Sequence, residues 1–226
     1  MRFRRILKRI FREQYFSKKL FFDHLEDNVS DCKTVLELGA GKNSYLRQLN
    51  KIFHITAIDL FEPSIESAKE NNVYDEYIKG DVKQILNIVE PKSFDCVAAF
   101  DLIEHLSKED GNKLLENMEK IARKKIVIFT PNGFLIQPPH DNNPFQEHLS
   151  GWKFDEMEKA KFKVIGINGL RNLRGMFSIP KIHPYEFGVF ISNISQIILN
   201  FFRLQKYSFA ILCVKSVSEN TNLVSK

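Results

Sequence analysis

Four acidic residues, Glu37, Asp59, Asp81 and Asp101, recur at steps of 22, 22 and 20 residues. Each sits at or just past the end of a short apolar run: TVLEL (34–38), HITAIDL (54–60), YIKGDV (77–82) and FDCVAAF (94–100). Runs of this length, rich in β-branched and aromatic residues, read as buried strands. The stretch 42–52 suits a helix, and Pro63-Ser64 opens another through about Asn71. A third begins near Ser107, where Ser107-Lys108-Glu109-Asp110 forms a capping-box pattern with Asp in the Glu position. KKIVIFTP (124–131), FKVIGINGL (162–170) and FAILCVKSV (209–217) bring the strands to seven. Strands alternating with helices predict an α/β fold with a mostly parallel, Rossmann-like sheet. Ligands of such sheets lie beyond the carboxyl ends of the strands, where strand order reverses. The four acids would therefore line one edge. At 226 residues the chain suits a single domain of this kind.

Gly39-Ala40-Gly41 follows the first strand. Glycines there let the backbone approach a ligand closely. A helix over 42–52 would aim its free N–H groups at an electronegative group. An acid at the end of strand two, Asp59, can accept both hydroxyls of a ribose. A nucleoside-containing cofactor follows. A dinucleotide fingerprint needs a third glycine, but Ser44 stands there. Glu37 would repel a pyrophosphate and hold a cationic amino-acid moiety. The balance favours S-adenosylmethionine (SAM) over NAD.

Glu37-Leu38-Gly39-Ala40-Gly41, Asp59, Gly80-Asp81-Val82, FDLIEHL (100–106) and Thr130-Pro131-Asn132-Gly133 together resemble the class I SAM-dependent methyltransferases. The resemblance covers about residues 30–170 and the last strand. Within that superfamily the chain is most similar to small-molecule enzymes of the quinone-methylating type and of surface-polysaccharide pathways. The resemblance implies a seven-stranded sheet with an antiparallel last strand and helices on both faces. It also implies cofactor contacts from Glu37, Gly39, Ala40 and Gly41 at the methionine part. Asp59 and Leu60 would contact the ribose, and Asp81 and Val82 the adenine. Phe100 and Asp101 would follow strand four in the same set. Ala40 stands where many relatives have cysteine.

Methyl transfer to oxygen needs an in-line approach and something to take the acceptor proton. Histidine is the natural base near neutral pH. His148, in NPFQEHLSGW (143–152), and His105, after strand four, are the catalytic candidates. Each has a structural alternative, as a turn residue and a loop support respectively. No metal is expected. A rival reading joins Asp101, Glu104, His105 and His148 into a set resembling the divalent-metal ligands of small-RNA 2′-O-methyltransferases. The expected acceptor is a small molecule or glycan, with nucleic acid unlikely and the protein a monomer or homodimer. A nucleotide-binding protein without methyltransferase activity is the other alternative.

Charge is unevenly placed. Residues 1–20 carry eight Arg or Lys and one Glu, so their net charge is +7 against +5 for the whole chain. Residues 1–30 read as a basic amphipathic helical segment ahead of a domain over 31–226. Phe3, Ile6, Leu7, Ile10 and Phe11 fall on one helical stripe. Such a segment suits an anionic membrane surface or nucleic-acid phosphates, or packing on the domain with its charges outward. A helical insertion is expected over 171–208, with an uncharged apolar stripe in FGVFISNISQIILNFF (187–202). It reads as a lid, a dimer contact or a membrane-facing helix. Three widely spaced cysteines, no long apolar h-region and no spanning run point to a reducing, cytoplasmic setting, with association at the inner membrane face allowed.

Overall fold

Seven strands pair in the order β3-β2-β1-β4-β5-β7-β6. They are β1 (Thr34–Leu38), β2 (His54–Asp59), β3 (Glu76–Lys79), β4 (Phe94–Phe100), β5 (Ala122–Pro131), β6 (Lys163–Leu170) and β7 (Ser208–Ser216). The computed structural model describes residues 15–217. The stripe expected at 3–11 lies outside the described residues. β1 through β5 pair in parallel, and β7 slots antiparallel between β5 and β6. Strand order reverses between β1 and β4, so the ligand crevice of this topology lies at their carboxyl ends. Every strand expected from sequence forms, and the last one is antiparallel as the resemblance implied.

Among the described residues five α-helices accompany the sheet: α1 (Tyr15–Val29), α2 (Glu62–Glu70), α3 (Lys108–Ile121), α4 (Phe154–Lys159) and α5 (Tyr185–Phe201). Successive strand residues point to opposite faces, so each strand feeds two cores. Val35, Ala57, Ala98 and Val127 pack with Phe21, Leu25 and Val29 of α1. Leu36, Ile58, Val97 and Ile126 pack with Leu114, Met118 and Ile121 of α3. Full burial of such a side chain contributes about 1.5–3 kcal/mol. Ser107 caps α3, its Oγ accepting from the Asp110 N–H at 3.1 Å, as its sequence position predicts.

One expected element is absent. Residues 42–52 hold only a single 3-10 turn, Leu46–Gln48. Ser44 is the reason. Its Oγ donates to the Glu37 carboxylate at 2.5 Å and accepts from the Leu46 N–H at 3.1 Å. A serine that supplies the backbone with a local partner competes with the helix. The dipole argument built on a helix after the glycine turn therefore does not hold here. At β3 the strand stops at Lys79, and Asp81 caps the 3-10 turn that follows, accepting from the Lys83 N–H at 2.9 Å.

Candidate active site

The glycine turn is held from below and from the side. Gly39 and Gly41 take φ of +60° and +62°, a region that favours glycine. A Cβ on Gly39 would meet Leu102 Cδ1 at 2.5 Å, while one on Gly41 would meet nothing within 4 Å. Gly39 thus packs on the loop after β4, and Gly41 borders open space. Buried Ala40 between them donates its N–H to the Ile58 carbonyl and accepts at its own carbonyl from the Tyr74 hydroxyl. Asp59 uses one carboxylate oxygen for the Gly41 N–H and the other for the Phe61 N–H, both at 2.8 Å. It remains partly exposed beside exposed Leu60, with lone pairs to spare for further donors.

Glu37 behaves differently from its sequence reading. It is 2 % exposed and turned into the turn, onto Ser44, rather than toward the crevice. Burial pushes its carboxyl up to about 8, against the opposing pull of the Ser44 hydrogen bond. It braces the loop as a largely neutral acid at pH 7. Because the folded value lies above the ordinary one, the protein loses stability as pH rises from about 5 to 8. Glu37→Gln keeps an acceptor for Ser44 and removes that loss. It should stabilise the fold by about 1–2 kcal/mol at pH 8 and by close to nothing at pH 5, read as the difference between two thermal melting curves.

Asp81 is partly exposed, and Val82 and Phe100 are buried. Asp101 leaves β4 with φ of +48° and accepts from the Tyr45 hydroxyl at 3.1 Å. Although exposed at the strand end, it is crowded by surrounding protein, and its carboxyl is pushed up to about 6, with the Tyr45 bond opposing. Tyr45 packs edge-on against Phe21 and Phe100. It also lines a cavity of about 820 Å³ between α1 and residues 171–208, with Phe22, Phe129, Arg174 and Phe177.

Three side chains converge after β4. Glu104, His105 and His148 each offer a ligand atom, and these atoms lie within 4.8 Å of one another. The segment 132–152 brings His148 there. The Leu149 and Ser150 N–H groups both donate to the Glu104 carbonyl, at 2.8 and 3.0 Å. Trp152, 1 % exposed, donates its Nε1–H to the Ile103 carbonyl at 3.2 Å and lies under the Lys108 ammonium. The Thr130 hydroxyl donates to Glu104 Oε2 at 2.9 Å.

Each imidazole pairs through Nδ1 with a backbone carbonyl, His105 with Glu147 at 3.0 Å and His148 with Leu135 at 2.8 Å. A carbonyl only accepts, so Nδ1 carries the proton and Nε2 keeps its lone pair. Burial pushes His105 down to about 4 and lowers His148, so both stay neutral at pH 7. Burial first, then the nearby Asp101 charge, raises the Glu104 carboxyl well above the usual range. A buried acid beside two acceptor nitrogens with oriented N–H groups has the chemistry of a divalent-cation site. Asp101 stands outside this convergence, held by Tyr45.

Sequence reasoning named His105 and His148 but not Tyr45 or Thr130 as site residues. Thr130 is the penultimate residue of β5, so the strand-end rule could have found it. Tyr45 lies in a polar turn that carries no such signal.

Residues 36–129 match the family described as methyltransferase domain. With the fold, this match makes the chain similar to methyltransferases of Rossmann-like architecture. The chain is 26% identical over 142 residues to the small RNA 2′-O-methyltransferase of Tetrahymena thermophila, covering 54% of this chain and 32% of that protein. It thus spans about a third of the length of that curated relative. Three solved structures share the fold. The methyltransferase domain of bacterial CtHen1-C superimposes with a TM-score of 0.55 at 14% identity, covering 91% of this chain and 98% of that one. The PH0226 protein of Pyrococcus horikoshii OT3 gives 0.54 at 16% identity, over 92% and 91%. The plantazolicin methyltransferase BpumL, solved with S-adenosylhomocysteine (SAH), gives 0.52 at 16%, over 95% and 90%.

Proposed function

We propose that the protein is a SAM-dependent O-methyltransferase acting on a hydroxyl of a small molecule or glycan, with a divalent cation held by Glu104, His105 and His148. SAM lies across the carboxyl ends of β1, β2 and β4. Its methionine part rests on the Gly39–Gly41 turn, with Phe100 and Asp101 on the β4 side. Asp59 and Leu60 meet the ribose, and Asp81 and Val82 the adenine. Methyl transfer forms the new C–O bond as the C–S bond of the sulfonium breaks, leaving SAH. Asp101, ionised above about pH 6, is the candidate to take the hydroxyl proton.

The observation that carries this reading is the convergence of one buried acid and two neutral imidazoles whose Nδ1 atoms are each engaged by a backbone carbonyl. A bound cation would supply Lewis acidity, lowering the pKa of an acceptor hydroxyl. Glu104 is oriented by Thr130 and the two histidines by carbonyls, so the ligand set is preorganised. In place of the metal-free reading, His148 and His105 are thus assigned as ligands that orient the acceptor.

An RNA 2′-hydroxyl is the second reading, favoured by the Tetrahymena relative's name. The domain's charge favours the first. Residues 31–226 sum to +1, given +5 overall, +7 in 1–20 and −3 in 21–30, so the domain offers little net attraction to a phosphate backbone.

Titration with Mn²⁺, followed by calorimetry and by the electron paramagnetic resonance of the bound ion, tests the site. One Mn²⁺ per chain is expected, with binding lost in His148→Ala. Labelled SAM then reports the acceptor. Label should enter glycan or small-molecule fractions, depend on the cation and vanish with EDTA. Label in RNA alone would favour the second reading.

A further inference from the structure

Helix α5 sits on the sheet with polar residues turned inward beside apolar Val189 and Leu199. Ser192, Asn193 and Gln196 are buried, while Phe187, Ile194, Ile197, Ile198, Phe201 and Phe202 are exposed, Phe201 at 79 %. The exposed positions follow helical spacing along the full 17 residues. The inward side is fixed by specific bonds. Gln196 accepts from the Gly169 N–H at 2.7 Å and donates to the Gly166 carbonyl at 2.9 Å. Ser195 accepts from the Leu170 N–H at 2.8 Å. A Cβ on Gly169 would stand 2.2 Å from the Ser192 carbonyl, so helix and strand touch at backbone distance. The helix cannot roll its apolar side inward without breaking all of these.

The apolar surface is concentrated here. Of the nineteen exposed large apolar side chains among the described residues, twelve lie in 171–208, from Met176 to Tyr207. No charge falls between Phe187 and Phe202. Exposed Lys181, Arg203 and Lys206 outnumber the one exposed acid, Glu186, at the ends of this stretch, with the amphipathic rings of Tyr185 and Tyr207. α1 packs against α5, and Lys19 and Phe22 of α1 line one cavity with Tyr185 and Val189 of α5. Residues 1–14, which lead into α1, hold six Arg or Lys and one Glu.

We infer that the outward face of α5 docks on an anionic lipid bilayer, lying in the interface plane. An apolar stripe with interfacial aromatics and flanking cations matches such a surface in both polarity and charge. A second copy of the chain fits less well, since two-fold pairing would set these cations against their own kind. Among the described residues no helix is long and apolar enough to cross a membrane, consistent with docking rather than spanning.

Vesicle flotation of the full chain tests this. The chain should float with vesicles containing phosphatidylserine and stay behind with pure phosphatidylcholine. Combined Phe187→Gln, Ile197→Gln and Phe201→Gln should lower the floated fraction at least tenfold. Arg4→Glu, Arg5→Glu and Arg9→Glu in the full chain should lower it severalfold. The SAH-induced thermal shift of each variant should stay unchanged, which separates lost docking from lost folding. A full chain that ignores anionic vesicles overturns the inference. So does a dimer in sedimentation velocity that the triple Gln variant dissolves while flotation is absent.

Discussion

Glu104→Gln should lower single-turnover methyl transfer by about 10³-fold, equivalent to roughly 4 kcal/mol of transition-state stabilisation, while SAH affinity stays within about twofold of wild type. The substitution is nearly isosteric. Its amide oxygen still accepts from the Thr130 hydroxyl, which holds Glu104 Oε2 at 2.9 Å. Its backbone carbonyl still receives the Leu149 and Ser150 N–H groups, so His148 stays against His105. What is lost is the carboxyl that a bound cation would draw into its charged form beside the two imidazoles. Calorimetry with Mn²⁺ should show the bound ion weakened by at least tenfold, since a neutral amide is a poor replacement for a carboxylate ligand. Full turnover with unchanged Mn²⁺ binding would remove Glu104 from the site. Full turnover with lost Mn²⁺ binding would leave the fold and the SAM crevice standing and sink only the metal-assisted reading.

The strands were legible because their pattern is local. Runs such as TVLEL and FDCVAAF carry their own evidence of double-sided burial. The misread helix at 42–52 turned on one side chain, Ser44, whose bond to Glu37 spans seven residues and is invisible to periodicity. That bond also hid the position of Glu37, because spacing gives no information on whether a strand-end acid faces the ligand or its own loop.

The convergence of His148 with Glu104 and His105 was a possibility in sequence and no more. It depends on how segment 132–152 folds back over the loop after β4. That path is set by backbone bonds to Glu104 and by Trp152 packing on Gly111, where a Cβ would meet the indole at 2.4 Å. The stripe on α5 was equally visible, but not the direction it faces. A register shift between Ile167 and Leu170 interrupts the β6–β7 pairing, and the Gly169 and Leu170 N–H groups instead find Gln196 and Ser195. Buried backbone donors need partners, and that demand outweighs the ordinary preference for an apolar inner face.

Asp59→Ala should weaken SAH binding by about 10²-fold, or roughly 2–3 kcal/mol, through two losses that calorimetry on a pair of variants can separate. The first is direct: a carboxylate at the end of β2 accepts from a ribose, and alanine cannot. The second is structural. Asp59 holds the Gly41 and Phe61 N–H groups, each at 2.8 Å, so the glycine turn and the entry to α2 share one anchor. Charge-assisted bonds of this kind contribute about 1.5–3 kcal/mol each where they are shielded, and less here because Asp59 is partly exposed. Asp59→Asn divides the two effects. Its single carbonyl oxygen can keep one of the two N–H groups, while its amide nitrogen can donate to a ribose oxygen but cannot accept from a hydroxyl. The Asn variant should therefore fall between wild type and Ala in affinity and stay close to wild type in melting temperature. An Ala variant that binds SAH as tightly as wild type would place the ribose elsewhere. An Asn variant that melts as low as Ala would show that Asp59 serves the turn through its charge.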